Sequence, residues 1–234
     1  MRVAVISGSL ATGIRIASEV ERLPGVEVVI VDCNVRMWSP LFRWLRELAL
    51  VLKSFRLARK LWSYASSGKL VILDHPLDES ESLERLKSLQ CDIGLHAANV
   101  IYRQPTIDVF RLGILNSHIG ILPEYRGRSV AEWSILYGDP TGVTVFFIDG
   151  GIDTGPRIIL REFIPPRDCR SVRSLKMKLF GFDAILYRQA LEALASNGFR
   201  YSHNEVSRGK RYYVMSKIFT KSVENILQAG VVSS

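Results

Sequence analysis

Cysteine and histidine are scarce in this 234-residue chain, with three of the former and four of the latter. Cys33, Cys91 and Cys169 are far apart and odd in number, which gives neither a disulfide framework nor zinc-ligand spacing. A reducing, cytoplasmic setting without a metal is therefore expected. No apolar run reaches the ~20 residues that span a bilayer. The opening "MRVAVISGSL" has one arginine, a short apolar run and no small-residue cleavage pattern, so it reads as a strand and not as a signal peptide. Repeats, low-complexity tracts and long linkers are missing as well. The first glycine turn, "GSLATG" (8–13), has the spacing of a phosphate-binding loop but is followed by Ile14 and Arg15 instead of Lys and Ser/Thr. Position 10 is Leu, so the dinucleotide fingerprint fails too, and both nucleotide hydrolysis and hydride transfer are set aside. No serine or cysteine sits in a nucleophile elbow.

Acid is lacking in one stretch. Residues 36–69 carry eight basic side chains against one acid, Glu47, so nearly all of the formal +8 charge resides there. The rest of the chain is close to neutral. The charge is thus a basic insert in a neutral domain and not a nucleic-acid footprint, and no nucleic-acid partner is expected.

What is present is an alternation. "RVAVISG" (2–8) is an apolar, β-branched strand, "TGIRIASEVERL" (12–23) an amphipathic helix, and "VEVVIVD" (26–32) a second strand. Together they make a βαβ unit and imply a parallel sheet. "LVILD" (70–74), "DIGLHA" (92–97) and "LGILNSH" (112–118) read as further strands, with a helix at 81–89 between the first two. "VAEWSILYG" (130–138) reads as helix, "GVTVFFID" (142–149) and "RIILREFI" (157–164) as strands, 171–195 as a long helical stretch, and "RYSHNEV" with "KRYYVM" as a final hairpin. The expected class is α/β: a central, mostly parallel sheet flanked by helices. Residues 1–200 are expected to form the main domain, and 201–234 a C-terminal hairpin and tail.

Polar residues break the apolar pattern in two informative places. Asn116 and His118 close an apolar strand, at the carboxyl edge where ligands of open parallel sheets bind. Spaced i, i+2, they project to one face. Asp153 lies in the glycine-flanked "DGGIDTGP" (149–156), leaving another strand. Singly, each has an ordinary structural explanation. Together they suit direct acyl transfer to an amine. Asn116 or a protonated His118 could donate to a tetrahedral oxyanion, His118 could accept the amine proton, and Asp153 could orient the imidazole and favour its cation.

Asn116-x-His118, followed by "ILPEYRG" (121–127) and "GVTVFFIDGGIDTGP" (142–156), resembles the folate-dependent formyltransferase family. The likeness runs from about residue 90 to 165. It implies a Rossmann-like formyltransferase fold, 10-formyltetrahydrofolate as donor, and catalytic roles for Asn116, His118 and Asp153. It also implies that the segment Ala98, Asn99, Val100, Ile101 and Tyr102 lines the pterin pocket, with Asp149, Gly151 and Ile152 on the loop opposite. One departure stands out. The family commonly has Pro-Ser after the histidine, where this chain has Ile119 and Gly120.

Within that family, glycinamide ribonucleotide enzymes resemble one another in a glycine-serine-asparagine phosphate turn, which "SGSLATG" lacks. Methionyl-tRNA enzymes usually carry a further C-terminal domain, for which some thirty residues after the last long helix are too few. By subtraction the resemblance implies a sugar N-formyltransferase acting on a nucleotide-linked amino sugar, as an expected homodimer. Glycinamide ribonucleotide or another small amine is the alternative acceptor. Ser9, Leu10, Tyr125, Arg126 and Gly127 are expected to contact the acceptor, although a structural turn explains the last three equally well. The insert's "FRWLRELALVLKSFRLARKLW" (42–62) reads as amphipathic helices with a solvated basic face. A lid over a diphosphate and contact with an anionic membrane are less favoured readings. A folate-binding relative without catalysis and a formyl hydrolase complete the alternatives.

Overall fold

A computed structural model describes residues 1–34, 45, 49, 54–196 and 198–230. Nearly half of the basic insert, including most of the first part of the stretch read as helical at 42–62, lies outside the described residues. The chain divides into two compact units, Met1–Leu115 and Asn116–Ser234.

The first unit is a parallel sheet. Strands β1 (Arg2–Ser7), β2 (Glu27–Asp32), β3 (Leu70–Ile72), β4 (Ile93–Ala97) and β5 (Gly113–His118) lie in the order β3-β2-β1-β4-β5. All four pairings are parallel. Val3, Ala4, Val5 and Ile6 are wholly buried, as are Val28, Ile30 and Val31. Strands covered on both faces read as unbroken apolar runs, and β1 and β2 do so. Helix α1 (Leu10–Val20) packs on β1 and β2. Its Gly13 is the second glycine of the false phosphate loop. A Cβ there would lie 3.0 Å from the Ile30 side chain and 3.2 Å from Ser7 Cβ, so this glycine serves close helix–strand packing. Helices α2 (Phe55–Ser66), α3 (Ser80–Ser88) and the short α4 (Gln104–Ile107) complete the unit.

The second unit begins with the last three residues of β5: Asn116, Ser117 and His118. It then contains β6 (Tyr125–Gly127), α5 (Val130–Tyr137), β7 (Gly142–Phe147), β8 (Arg157–Phe163), α6 (Val172–Gly181), α7 (Asp183–Ala195), β9 (Ser202–His203), β10 (Lys210–Tyr212) and α8 (Lys217–Ala229). Strands β7 and β8 are antiparallel, with a bulge at Val145/Phe146. Helix α7 packs on both. Leu122, Phe146 and Ile158 form a buried cluster in this unit.

Two expectations are corrected. "RYSHNEV" and "KRYYVM" do not form a hairpin: β9 pairs antiparallel with β8, and β10 pairs parallel with β6. The long helical stretch at 171–195 is two helices that meet at Phe182, the first opened by a capping box between Ser171 and Ser174. Downstream, α8 was not anticipated. It buries Val223 and Leu227 and packs against α5 and α6.

Candidate active site

Strand β5 delivers Asn116 and His118, and the β7–β8 loop delivers Asp153. The structure brings the latter two together. His118 is buried, and its Nδ1 lies 3.6 Å from Asp153 Oδ2. That is an ion-pair separation, longer than a formed hydrogen bond. The other ring nitrogen, Nε2, is 2.8 Å from the main-chain oxygen of Tyr125. Both neighbours are acceptors, so the ring can donate to both only as an imidazolium. Asn116 is half-buried, and its amide makes no hydrogen bond among the described residues. Between the two, the Ser117 N–H donates to the hydroxyl of Tyr187 on α7 at 2.8 Å. Burial, and then the charge of Asp183, holds the Tyr187 phenol well above its usual range. It remains a neutral anchor.

Asp153 is held from three sides. Its Oδ2 accepts the Gly127 N–H at 2.8 Å. Its backbone has φ +53°, a left-handed conformation uncommon outside glycine. Its main-chain oxygen accepts from the Asn204 side-chain amide at 3.2 Å, and the same amide donates to Gly155 O at 3.0 Å. Asn204 is 2 % exposed, and its own N–H donates to Pro156 O at 3.0 Å. Earlier in the loop, Asp149 Oδ1 accepts from Gly151 N at 3.0 Å and from Thr154 Oγ1 at 2.7 Å, a local Asx turn.

Strand β6 forms the other side of the histidine. It is braced by β10 in the register Tyr125↔Lys210, Arg126↔Arg211 and Gly127↔Tyr212. The Tyr125 ring stacks on Tyr212 at 5.1 Å, and its hydroxyl donates to Asp139. Burial, and then that carboxylate, raises the Tyr125 phenol above its usual range, so it is not a proton carrier near neutrality. Gly120 explains the chain's departure after the histidine. A Cβ there would lie 2.8 Å from His118 Nε2 and 2.8 Å from Tyr125 O, at both ends of one hydrogen bond. The imidazole occupies its observed position because residue 120 has no side chain.

The remaining expected contacts fare unevenly. Leu10 is 1 % exposed and belongs to the core, so its side chain cannot touch an acceptor; Ser9 is exposed. The Ser7 hydroxyl donates to Ser9 O and accepts from Ser9 N, so the first turn closes on itself. Tyr125 is likewise buried, and what it offers the site is its carbonyl. The Arg126 guanidinium donates to Val206 O at 3.3 Å and Gly209 O at 3.4 Å, as a strut to the C-terminal segment. Gly127 contributes its N–H to Asp153. In the first unit, Ala98–Tyr102 follows β4. Ile101 is 76 % exposed there, whereas Tyr102 is buried with its hydroxyl 2.9 Å from His96 Nδ1. Sequence reading missed Asn204, Tyr187 and Gly120. Of these only Gly120 left a trace, as the departure after His118.

The family model described as formyl transferase matches residues 65–191, more than half of the chain and including Asn116, His118 and Asp153. The chain belongs to the formyl transferase family. Among curated relatives of this chain, methionyl-tRNA formyltransferase of Parabacteroides distasonis is 32% identical over 130 residues, 55% of this chain and 40% of that one. The chain thus matches less than half the length of that relative. Among solved structures, glycinamide ribonucleotide transformylase 1 from Symbiobacterium toebii superposes with TM-score 0.61 at 20% identity, over 88% of this chain and 94% of the other. A 4-N formyltransferase from Francisella tularensis gives TM-score 0.62 at 15% identity, over 97% and 86%. The formyltransferase PseJ from Anoxybacillus kamchatkensis, solved with UDP-4,6-dideoxy-4-formamido-L-AltNAc and tetrahydrofolate, gives 0.52 at 17%, over 91% and 85%. At these identities the likeness to the solved structures is one of fold, and it agrees with the α/β class expected from the sequence. No helix of the described residues is long and apolar enough to cross a membrane.

Proposed function

We propose that the chain is an N-formyltransferase that moves the formyl group of 10-formyltetrahydrofolate to the primary amine of a nucleotide-linked amino sugar. The observation that carries formyl transfer is the His118 ring held between the Tyr125 carbonyl and the Asp153 carboxylate, with the unpaired Asn116 amide two residues away on the same strand. The donor, when bound, supplies a formyl carbon open to attack by a neutral amine. The chain's residues then divide the work. With Nε2 of His118 donating to the Tyr125 carbonyl, Asn116 is the free donor for a developing oxyanion. The neutral ring keeps a lone pair on Nδ1; it takes the amine's proton there, Asp153 supports the cation so formed, and the proton then passes to the departing nitrogen.

The glycine-rich loop suits a flat heterocycle read by main-chain groups. A Cβ on Gly150 would meet nothing within 4 Å, and Ile152 is 36% exposed. Asp149, Gly151 and Ile152 remain the proposed folate contacts of this unit. The sugar acceptor is supported by the self-closed first turn, which leaves no ready phosphate cradle at Ser7–Leu10, and by the fold shared with a nucleotide-sugar complex. Glycinamide ribonucleotide is the second reading, favoured by the near-complete coverage of its transformylase.

The test is formyl transfer by the purified chain from 10-formyltetrahydrofolate to nucleotide-linked 3- and 4-amino sugars and to glycinamide ribonucleotide, with products identified by mass spectrometry. A formamido sugar supports the reading. Formylated glycinamide ribonucleotide alone replaces the acceptor and keeps the chemistry. Folate turnover without any acylated amine refutes formyl transfer to amines.

A further inference from the structure

Helix α2 presents an uncommon face to solvent. Its buried residue is Tyr64, tied to α1 by a 2.6 Å hydrogen bond to Glu21. Phe55 and Trp62, by contrast, are 83% and 76% exposed. Seven residues apart, they lie two turns from each other on one side, separated by roughly 10 Å of helix. Arg59 lies on that side at i+4 from Phe55, Arg56 borders it roughly 100° around the helix, and Lys60 lies farther round toward Tyr64, all three exposed. Residues 54–69 contain no acid, and none of these three cations forms an ion pair among the described residues. The exposed surface of the helix therefore carries two large aromatics and three cations that form no ion pair among the described residues.

Neither component contributes to packing within the first unit. Large exposed aromatics on a helix that also carries cations match the interfacial layer of a bilayer. Ring systems enter the headgroup region there, while Arg and Lys stems extend along it to phosphates. An acidic protein surface or an RNA would match the cations, but a fluid headgroup layer also accepts two exposed rings from one side of a helix. We propose that α2 is a peripheral docking surface for an anionic lipid bilayer, with Phe55 and Trp62 entering the headgroup layer and Arg56, Arg59 and Lys60 paired with lipid phosphates.

The test is co-sedimentation of the full chain with phosphatidylcholine vesicles, with and without phosphatidylserine. Binding is expected only to the anionic vesicles, weakening as salt shortens the screening length. F55A/W62A should weaken partitioning about tenfold or more, and R56Q/R59Q/K60Q by 10- to 100-fold, on the order of a fewfold per cation. All five positions are exposed, so melting temperature and formyl transfer should stay at wild-type values. The proposal is overturned if the wild type leaves anionic vesicles in suspension, if both variants pellet like the wild type, or if neutral vesicles bind equally well. It is also overturned if single-stranded RNA or polyglutamate binds through the same residues while vesicles do not.

Discussion

Replacing Asn204 by Ala tests whether the loop proposed to be catalytic is shaped by a residue that acts through the backbone of Asp153. The Asn204 amide spends its two N–H groups on Asp153 O and Gly155 O. Truncation leaves both carbonyls without that donor in a nearly closed environment, at about 1–3 kcal/mol per buried unpaired group and less where water enters. A total of about 2–4 kcal/mol follows. For a chain of this size that corresponds to a fall of roughly 4–16 °C in melting temperature. Function should fall as well. Asp153 sits at φ +53°, a conformation that persists only while its surroundings enforce it. Once released, the loop can relax toward ordinary φ and carry the carboxylate away from His118, now 3.6 Å distant. A loss of 10- to 100-fold in kcat is expected, with acceptor KM changed much less, because Asn204 acts through Asp153 and not on the acceptor. Calorimetry and steady-state formyl transfer on the same preparation provide the readout. A variant that melts early yet turns over at the wild-type rate would refute the argument, because Asn204 would then be structural alone.

The remaining predictions bear on the same site and on the core. Asp153→Asn keeps the shape and the Gly127 N–H contact but removes the charge facing His118; turnover should drop by on the order of 10²-fold with melting temperature nearly unchanged, and wild-type turnover would remove Asp153 from the mechanism. Gly120→Ala places a methyl 2.8 Å from His118 Nε2 and from Tyr125 O, so the ring must leave that carbonyl; about 1–3 kcal/mol of stability and at least tenfold in kcat should be lost, as measured by denaturant titration and assay. Tyr187→Phe leaves the Ser117 N–H unpaired and should cost about 1–3 kcal/mol in the same titration. Burial, then the nearby Asp32, pushes the Cys33 thiol up to about 12, and burial pushes Cys91 to about 11. Unfolded thiols ionise near 9.0, so the native state binds more protons above that value, and stability should fall as pH rises from 9 toward 12. At pH 8 neither thiol should alkylate without unfolding, which peptide mapping after iodoacetamide treatment checks.

How much of this was legible in the sequence depends on how local each signal is. Strands β1 and β2 are visible because a doubly covered parallel strand must be apolar along its whole length, and that demand is written within six residues. Asn116, His118 and Asp153 are visible because polar groups at the ends of such runs have few local reasons to be there. Strand β10 fails this test. Its partner β6 is three residues long, lies some eighty positions earlier and has no apolar run of its own, so "KRYYVM" was paired with its nearest neighbour instead. The first glycine turn is ambiguous for the opposite reason: G-x-x-x-x-G spacing is local and the residues after it exclude a phosphate loop, but what Gly13 serves is the side chain of Ile30 on the next strand. Asn204 gives no local signal at all, being one asparagine in a short, mostly exposed stretch. Its importance comes from two carbonyls about fifty residues away that need a donor. A reactive group must break the local pattern and can be found there. The residues that fix its geometry, such as Asn204, Tyr187 and Gly120, conform to theirs, and only the fold shows what they hold in place.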